Sequence, residues 1–273
     1  MLLYIYLILS LLGTAALSFG CQWYDSWNAL WQVPLTFIGL FLGLMVAFAL
    51  VVLLATAAVR MDKEQTKRNG FYAFLFHTYA PAVLFLMRIH VHVTGREKIP
   101  TDGNFLLVCN HLNIFDPVVL FMSIPMRCKL SFITKVENFK IPIVKQFMHK
   151  LLCLPLDRNN DRSALRTIIK AAQLMKDNVL SMTIFPEGQT SKSGELLPFR
   201  NGAFKIAQKA NRPIVVATLQ NTKAAPKNMF RRPTHIPLHI LGVIPAEDVT
   251  SHTTAEIGAR VHAMMEADLY PER

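Results

Sequence analysis

From Val33 to Val59 the chain carries no charged side chain and no strongly polar one. Wound as a helix at ~1.5 Å per residue, this run reaches about 40 Å, enough to cross a hydrocarbon core of ~30 Å with some tilt. The competing reading is the core helix of a soluble protein, and the flanks argue against it. Residues 1–20, "MLLYIYLILSLLGTAALSFG", form a second apolar stretch that lacks the positive start of a signal peptide. Ser-Phe-Gly before Cys21 is a poor match to a lipoprotein cleavage site, so the stretch reads as retained. The link "CQWYDSWNALWQ" offers Trp23, Tyr24, Trp27 and Trp31, whose amphipathic rings suit a membrane interface. Arg60, Lys63, Lys67 and Arg68 follow the long run at once. The excess of cations on that side predicts a body on the cytoplasmic face, and two spans put the amino terminus there too.

Before Arg60 the only charged residue is Asp25; all 29 Lys and Arg lie from Arg60 onward, with 17 of the 18 acids. An apolar leader on a basic body fits a membrane protein that meets anionic lipid or an anionic substrate. Nucleic acid is the other common partner of a basic body, but the sequence has no zinc-finger spacing, helix-turn-helix cue or aromatic RNA-binding motif. Cys21, Cys109, Cys128 and Cys153 are scattered without a C-x-x-C pair, so neither a disulfide framework nor a zinc site is expected. A third apolar stretch, Phe71–Val93, is interrupted by His77, Pro81 and Arg88. It reads as a bent helix lying in the interface, or packed on the body, and the two are compatible.

From about residue 90 the pattern changes to short β-rich runs: "HVHVTG", "NFLLVC", "LSFIT", "LLCLPL", "VLSMTIF", "RPIVVATL" and "IPLHILGVI". Helical patterns separate several of them, notably 162–176, with Leu165, Ile168, Ile169, Ala172 and Met175 at helical spacing and Asp161 as its cap, and 253–269. This alternation predicts an α/β fold with a mixed, largely parallel sheet flanked by helices. Residues 221–236, rich in Pro and Lys, read as a surface loop.

The chemistry centres on "CNHLNIFDP". His111 and Asp116 stand five residues apart, a spacing that shares no face on a continuous helix or strand. A strand ending near His111 and a helix beginning with Asp116 at its cap and Pro117 at its first position would fold the two together. The carboxylate then holds one imidazole nitrogen, and the other becomes a general base for a hydroxyl. The plain alternative is an Asp that caps a helix beside an unrelated His. Further on, "TIFPEGQTSKSGELLPFRNGAFKIA" runs a strand, Leu180–Phe185, into Pro-Glu-Gly, followed by Lys192, Arg200 and Lys205. Gly188 permits close backbone approach to a ligand, the cations suit a phosphate, and Glu187 is placed to orient a cation or bind a hydroxyl. Ordinary solvated charges beside a turn are the alternative.

These segments together resemble the glycerolipid acyltransferases, and among them the 1-acyl-sn-glycerol-3-phosphate acyltransferases of the bacterial PlsC type. "NHLNIFD" is similar to their N-H-x-S-x-x-D block, the HX4D motif, at Asn110, His111 and Asp116. Phe185–Gly188 and Ser191 match the F-P-E-G-T-R-S block; Lys135, Glu137, Ile141, Pro142, Asp157 and Arg158 match an intermediate block. "RPIVVATL" resembles the last block, with Val216 where a proline is usual. The resemblance covers roughly residues 80–245. It implies that His111, oriented by Asp116, deprotonates the hydroxyl of a lysophospholipid, with lysophosphatidic acid as the acceptor. Acyl-CoA or acyl-carrier protein is the implied co-substrate, with no cofactor and no metal. It implies Lys135 as an oxyanion donor, and Arg158, Glu187 and Gly188 on the glycerol phosphate. One position departs from the pattern: Thr190 replaces the arginine of the F-P-E-G block. A threonine supplies neither charge nor a bidentate fork, so Lys192, Arg200 or Arg158 must compensate, or the acceptor differs. The chain then divides into a membrane segment, 1–62, an interfacial helical segment, 63–93, and an α/β acyltransferase domain, 94–273. Two rival readings remain: a thiol intermediate on Cys109, and a membrane scaffold whose motifs have decayed. A serine hydrolase lacks its G-x-S-x-G elbow.

Overall fold

The computed structural model describes residues 2–229 and 231–272. Met1, Phe230 and Arg273, in the leader, the expected loop and the domain terminus, lie outside the described residues. The two apolar stretches form α1 (Leu2–Gly20) and α2 (Ala29–Ala57), joined through a 3-10 turn at Trp23–Asp25. They pack on one another: the Tyr6 ring meets those of Phe41 and Phe48 edge-on, and Gly13 lets Leu40 approach closely. Both are long and apolar enough to cross a membrane, and none of the most apolar window of α2 is buried in the protein. The core helix of a soluble protein would bury that surface.

α3 (Gly70–Leu86) starts at Asn69, whose side chain accepts from the N–H groups of Phe71 and Tyr72. Its inner face buries Tyr72, Ala73, Leu75, Ala80 and Leu84, while Phe71, Phe74, Tyr79, Phe85 and Leu86 point outward. The Tyr72 hydroxyl donates to the Ala55 carbonyl at 2.6 Å and ties α3 to the end of α2. The helix stops earlier than the sequence suggested. Arg88 takes a positive φ of 55°, and Ile89–Thr94 form strand β1. Its alternation decides this: Ile89, Val91 and Val93 face the core while His90 and His92 face out, a period of two that no helix shares. The expected boundary at 93/94 therefore cuts through β1, and the α/β body begins at Ile89.

The remaining strands are β2 (Leu106–Cys109), β3 (Leu130–Lys135), β4 (Leu154–Leu156), β5 (Ser181–Ile184), β6 (Ile214–Leu219) and β7 (Thr234–Ile244). They form one sheet in the order β1-β7-β6-β2-β5-β3-β4, parallel throughout except between β6 and β7. The helices of the body are α4 (Asp116–Ser123), α5 (Val144–Lys150), α6 (Asp161–Lys176), α7 (Lys205–Ala210), α8 (Ala225–Asn228), α9 (Ala246–Ser251) and α10 (Thr254–Leu269). Both faces of the sheet are covered. Leu107 and Cys109 of β2 join one core with α3 and α4; Leu106 and Val108 join the other with α6, α7 and α10. This double burial is why β2 reads as an unbroken apolar run.

Three local expectations change. The cap of α6 is Asn160, in extended backbone and accepting from Ser163 N–H at 3.0 Å, while Asp161 is the first helical residue. On α6 the buried stripe is Ala171, Ala172, Leu174 and Met175, whereas Leu165 and Ile169 are exposed. Residues 221–236 are more than a loop: a 3-10 turn at Thr222–Ala224 and α8 bury Thr222, Ala225 and Asn228, and β7 begins at Thr234. The topology then selects one crevice. The chain leaving β2 enters α4 on one face, whereas the chain leaving its parallel neighbour β5 reaches α7 on the other. Adjacent strands whose connections diverge leave an opening at their carboxyl ends, where open α/β sheets bind ligands.

Candidate active site

His111 lies just beyond β2 and Glu187 just beyond β5, so both stand at that opening. Asp116 is not the cap of α4 but its first residue, following Phe115. Its carboxylate turns back into the corner. Oδ2 accepts from His111 Nδ1 at 2.8 Å, from Leu112 N–H at 2.6 Å and from Asn113 N–H at 2.8 Å. Asp116 is completely buried, which makes the carboxylate a fixed acceptor. An acceptor with two amide donors takes an imidazole N–H as its third, so the proton sits on Nδ1 and Nε2 keeps its lone pair. Nε2 has no hydrogen-bond partner among the described residues, and the His111 side chain is 17% exposed. The five-residue spacing thus forms a strand-turn-helix dyad rather than a chance pair.

The turn after β5 grips His111 elsewhere. The Phe185 ring stacks on the imidazole with centroids 4.1 Å apart and planes 15° from parallel. Glu187, 4% exposed, accepts from the His111 backbone N–H at 2.7 Å through Oε1 and from Leu197 N–H at 3.2 Å through Oε2. Ser191 N–H donates to the His111 carbonyl at 2.8 Å. Asn110 fixes the other flank, its amide donating to the Leu219 carbonyl at 2.9 Å and accepting from Leu219 N–H at 2.7 Å. Burial, the largest influence, pushes the Glu187 carboxyl up to about 7; nearby Asp116 adds to it, while the two amide donors pull it down. Backbone amides take both Glu187 carboxylate oxygens, and among the described residues no cation pairs with it.

Gly188 has φ +74°, and a Cβ there would stand 2.9 Å from Arg200 Nε. Only glycine meets both demands, and it lets the Arg200 guanidinium lie across the turn. Arg158 is held below the usual arginine range, first by burial and then by the like charge of Arg200, with Glu137 opposing. Its Nε is buried without a partner among the described residues. A cavity of about 350 Å³ opens there, lined by Lys135, Glu137, Asp157 and Arg158 among others. Two guanidiniums close enough to repel, beside an open cavity, are an anion site in waiting. Lys192 is exposed beyond Ser191, and its carbonyl accepts from Lys223 Nζ. The opening therefore gathers His111, Asp116, Glu187 and Gly188, with Arg200 lying against Gly188; Arg158, within reach of the Arg200 charge, lines the cavity beyond. Lys135 belongs to the cavity, and Lys192 stands at the rim. Sequence reasoning missed the backbone grips of Glu187 and Ser191 and the Phe185 stack. All three lie in the quoted "FPEGQTS", but a bond to a main-chain amide leaves no partner residue type to search for.

The Cys109 thiol is fully buried, and burial pushes it well above the usual thiol range, with the charges of Asp116 and Glu187 adding to the effect. A buried neutral thiol is no nucleophile.

A family model described as acyltransferase matches residues 90–220. Among curated relatives, a 1-acyl-sn-glycerol-3-phosphate acyltransferase of Borreliella burgdorferi is 31% identical over 139 residues, 51% of this chain and 54% of the relative. Enzymes of the same name from Saccharomyces cerevisiae and Bacillus subtilis are 30% and 29% identical, over 66% and 58% of this chain and 60% and 76% of theirs. The chain spans about half the length of the first of these relatives. The crystal structure of the 1-acyl-sn-glycerophosphate (LPA) acyltransferase PlsC from Thermotoga maritima superposes with a TM-score of 0.62. That match covers 83% of this chain and 89% of the other at 22% identity, and it shows a shared fold.

Proposed function

We propose that this chain, whose residues 90–220 match the acyltransferase family model, moves a fatty acyl group onto the sn-2 hydroxyl of 1-acyl-sn-glycerol-3-phosphate, giving phosphatidic acid. The donor is acyl-CoA or acyl-carrier protein. His111 Nε2 takes the hydroxyl proton as the oxygen attacks the thioester carbonyl. The new C–O bond forms, the C–S bond breaks, and the proton passes from His111 to the leaving thiolate. Asp116 keeps the ring oriented and stabilises the imidazolium that forms. No covalent enzyme intermediate is needed, in keeping with the buried Cys109.

Arg158 and Arg200 hold the acceptor phosphate and make up for Thr190, with Lys135 as a further cation in the cavity. Lys192 adds positive field at the rim. α1 and α2 cross the membrane where acceptor and product reside, and the cations from Arg60 to Arg68 keep the body on the cytoplasmic face. The observation that carries the reading is the His111–Asp116 bond of 2.8 Å, with Nε2 unpartnered in an opening rich in cations. Purified protein supplied with acyl-CoA, acyl-carrier protein and a panel of lysolipids tests it. We expect transfer to lysophosphatidic acid, and His111→Ala should lower turnover ~10²–10⁴-fold, the usual contribution of a general base. A near-normal rate in that variant would sink the assignment, and no transfer to any acceptor would favour the scaffold.

A further inference from the structure

We propose that Glu187 is a positioning residue for this reaction, holding the backbone of His111 in place without touching the acceptor. The inference rests on the acyl-transfer reading above. Asp116 fixes the rotation of the imidazole, but its remaining donors, Leu112 and Asn113, lie downstream of His111. Within that corner the Leu112 N–H bond holds the peptide that follows His111, but no bond is made to the His111 N–H or carbonyl. The turn after β5 supplies both from outside: Glu187 Oε1 accepts from the His111 N–H at 2.7 Å, and Ser191 N–H donates to the His111 carbonyl at 2.8 Å. These bonds join two strand ends whose own ladder stops short of the site, since the β2–β5 register runs from Leu106↔Met182 to Val108↔Ile184.

The second carboxylate oxygen extends the link. Oε2 accepts from Leu197 N–H at 3.2 Å, three residues before Arg200, and Arg200 N–H donates to the Pro186 carbonyl at 2.9 Å. Glu187 therefore connects the base to the segment that carries a cation of the phosphate site. A hydroxyl or phosphate seeking this carboxylate would have to enter a turn where Pro186, Glu187 and Gly188 are all buried. The geometry assigns Glu187 to alignment, in which a misplacement of ~1 Å costs ~10²-fold in rate.

Steady-state kinetics of the full chain in detergent micelles, with lysophosphatidic acid varied at saturating acyl-CoA, separate alignment from binding. Glu187→Gln should lower kcat ~10–100-fold and leave the acceptor KM within ~3-fold. Glu187→Ala should lower kcat further, because Gln keeps an oxygen for the His111 N–H and Ala does not. Arg158→Ala, the binding control, should raise KM at least ~10-fold. A raised KM with normal kcat in Glu187→Gln would make Glu187 an acceptor ligand and overturn the inference, as would equal kcat in the Gln and Ala variants. Amide hydrogen exchange tests the grip independently of activity. Peptides carrying His111 and Leu197 should exchange at least ~10-fold faster in Glu187→Ala. Unchanged exchange overturns the inference whatever the acceptor, whereas faster exchange in a protein that acylates no lysolipid leaves the grip intact and strikes the reaction reading.

Discussion

At the scale of single residues the site combines two buried carboxylates that differ in their donors. Asp116 accepts three donors through one oxygen, while Glu187 sits in a pocket where burial outweighs two amide bonds and lifts its carboxyl to about 7 from 4.5. A raised folded-state value means that the folded protein binds a proton the unfolded chain has released. Between pH ~4.5 and ~7 this group therefore removes stability as pH rises, and above ~7 its effect is level. At ~1.36 kcal/mol per unit the full change is on the order of 3 kcal/mol. Glu187→Gln does not titrate, so its stability minus that of the wild type should climb across this window and flatten above it. Denaturant titrations in micelles at several pH values measure the difference, and a flat curve would mean that the carboxyl is not buried as described. The dyad was legible because its spacing is wrong for any single element, so the two can meet only across a corner. Glu187 and Ser191 were visible only as letters of a motif. Their work is done on main-chain N–H and C=O groups, which every residue possesses, so no sequence pattern marks the partner.

At the scale of elements, composition announces strands more reliably than their ends or order. All seven β-rich runs became strands, because each is apolar on one or both faces. Their order was not legible, since β2 pairs with β5 and β6 at long separations and local patterning is blind to that. Ends depend on single side chains. α6 is capped by Asn160 rather than by Asp161, because the residue in extended backbone owns the cap. Asn160→Ala should destabilise the body by about 1 kcal/mol. Asp161→Ala should cost only about 0.3 kcal/mol through the helix dipole. Thermal melts of the two variants rank them, and the reverse order would restore Asp161 as the cap. The merging of 71–93 into one helix failed for a related reason. The apolar content is continuous, and only the change of period from helical to alternating, at Ile89, marks where α3 gives way to the sheet.

At the scale of the molecule, charge and apolar surface are segregated along the chain, and this fixes what must be tested last. α1 and α2 leave many large apolar side chains exposed, the outer face of α3 adds Phe71, Phe74 and Phe85, and every Lys and Arg lies from Arg60 onward. A hydrocarbon core satisfies the first two features, and an anionic leaflet satisfies the third. Two crossings bring the chain back to the side on which it began, so the amino terminus and the body should share one compartment. Protease added outside intact cells should then spare both the body and an epitope placed at the amino terminus, and cleave both once the membrane is opened. Cleavage of the body from outside would invert the orientation. Cleavage of the epitope alone would mean a single crossing, with α1 or α2 lying outside the span. Either pattern that spares the body puts His111 on the face where acyl-CoA and acyl-carrier protein are found, and cleavage of the body from outside does not, so the topology experiment also bears on the chemistry.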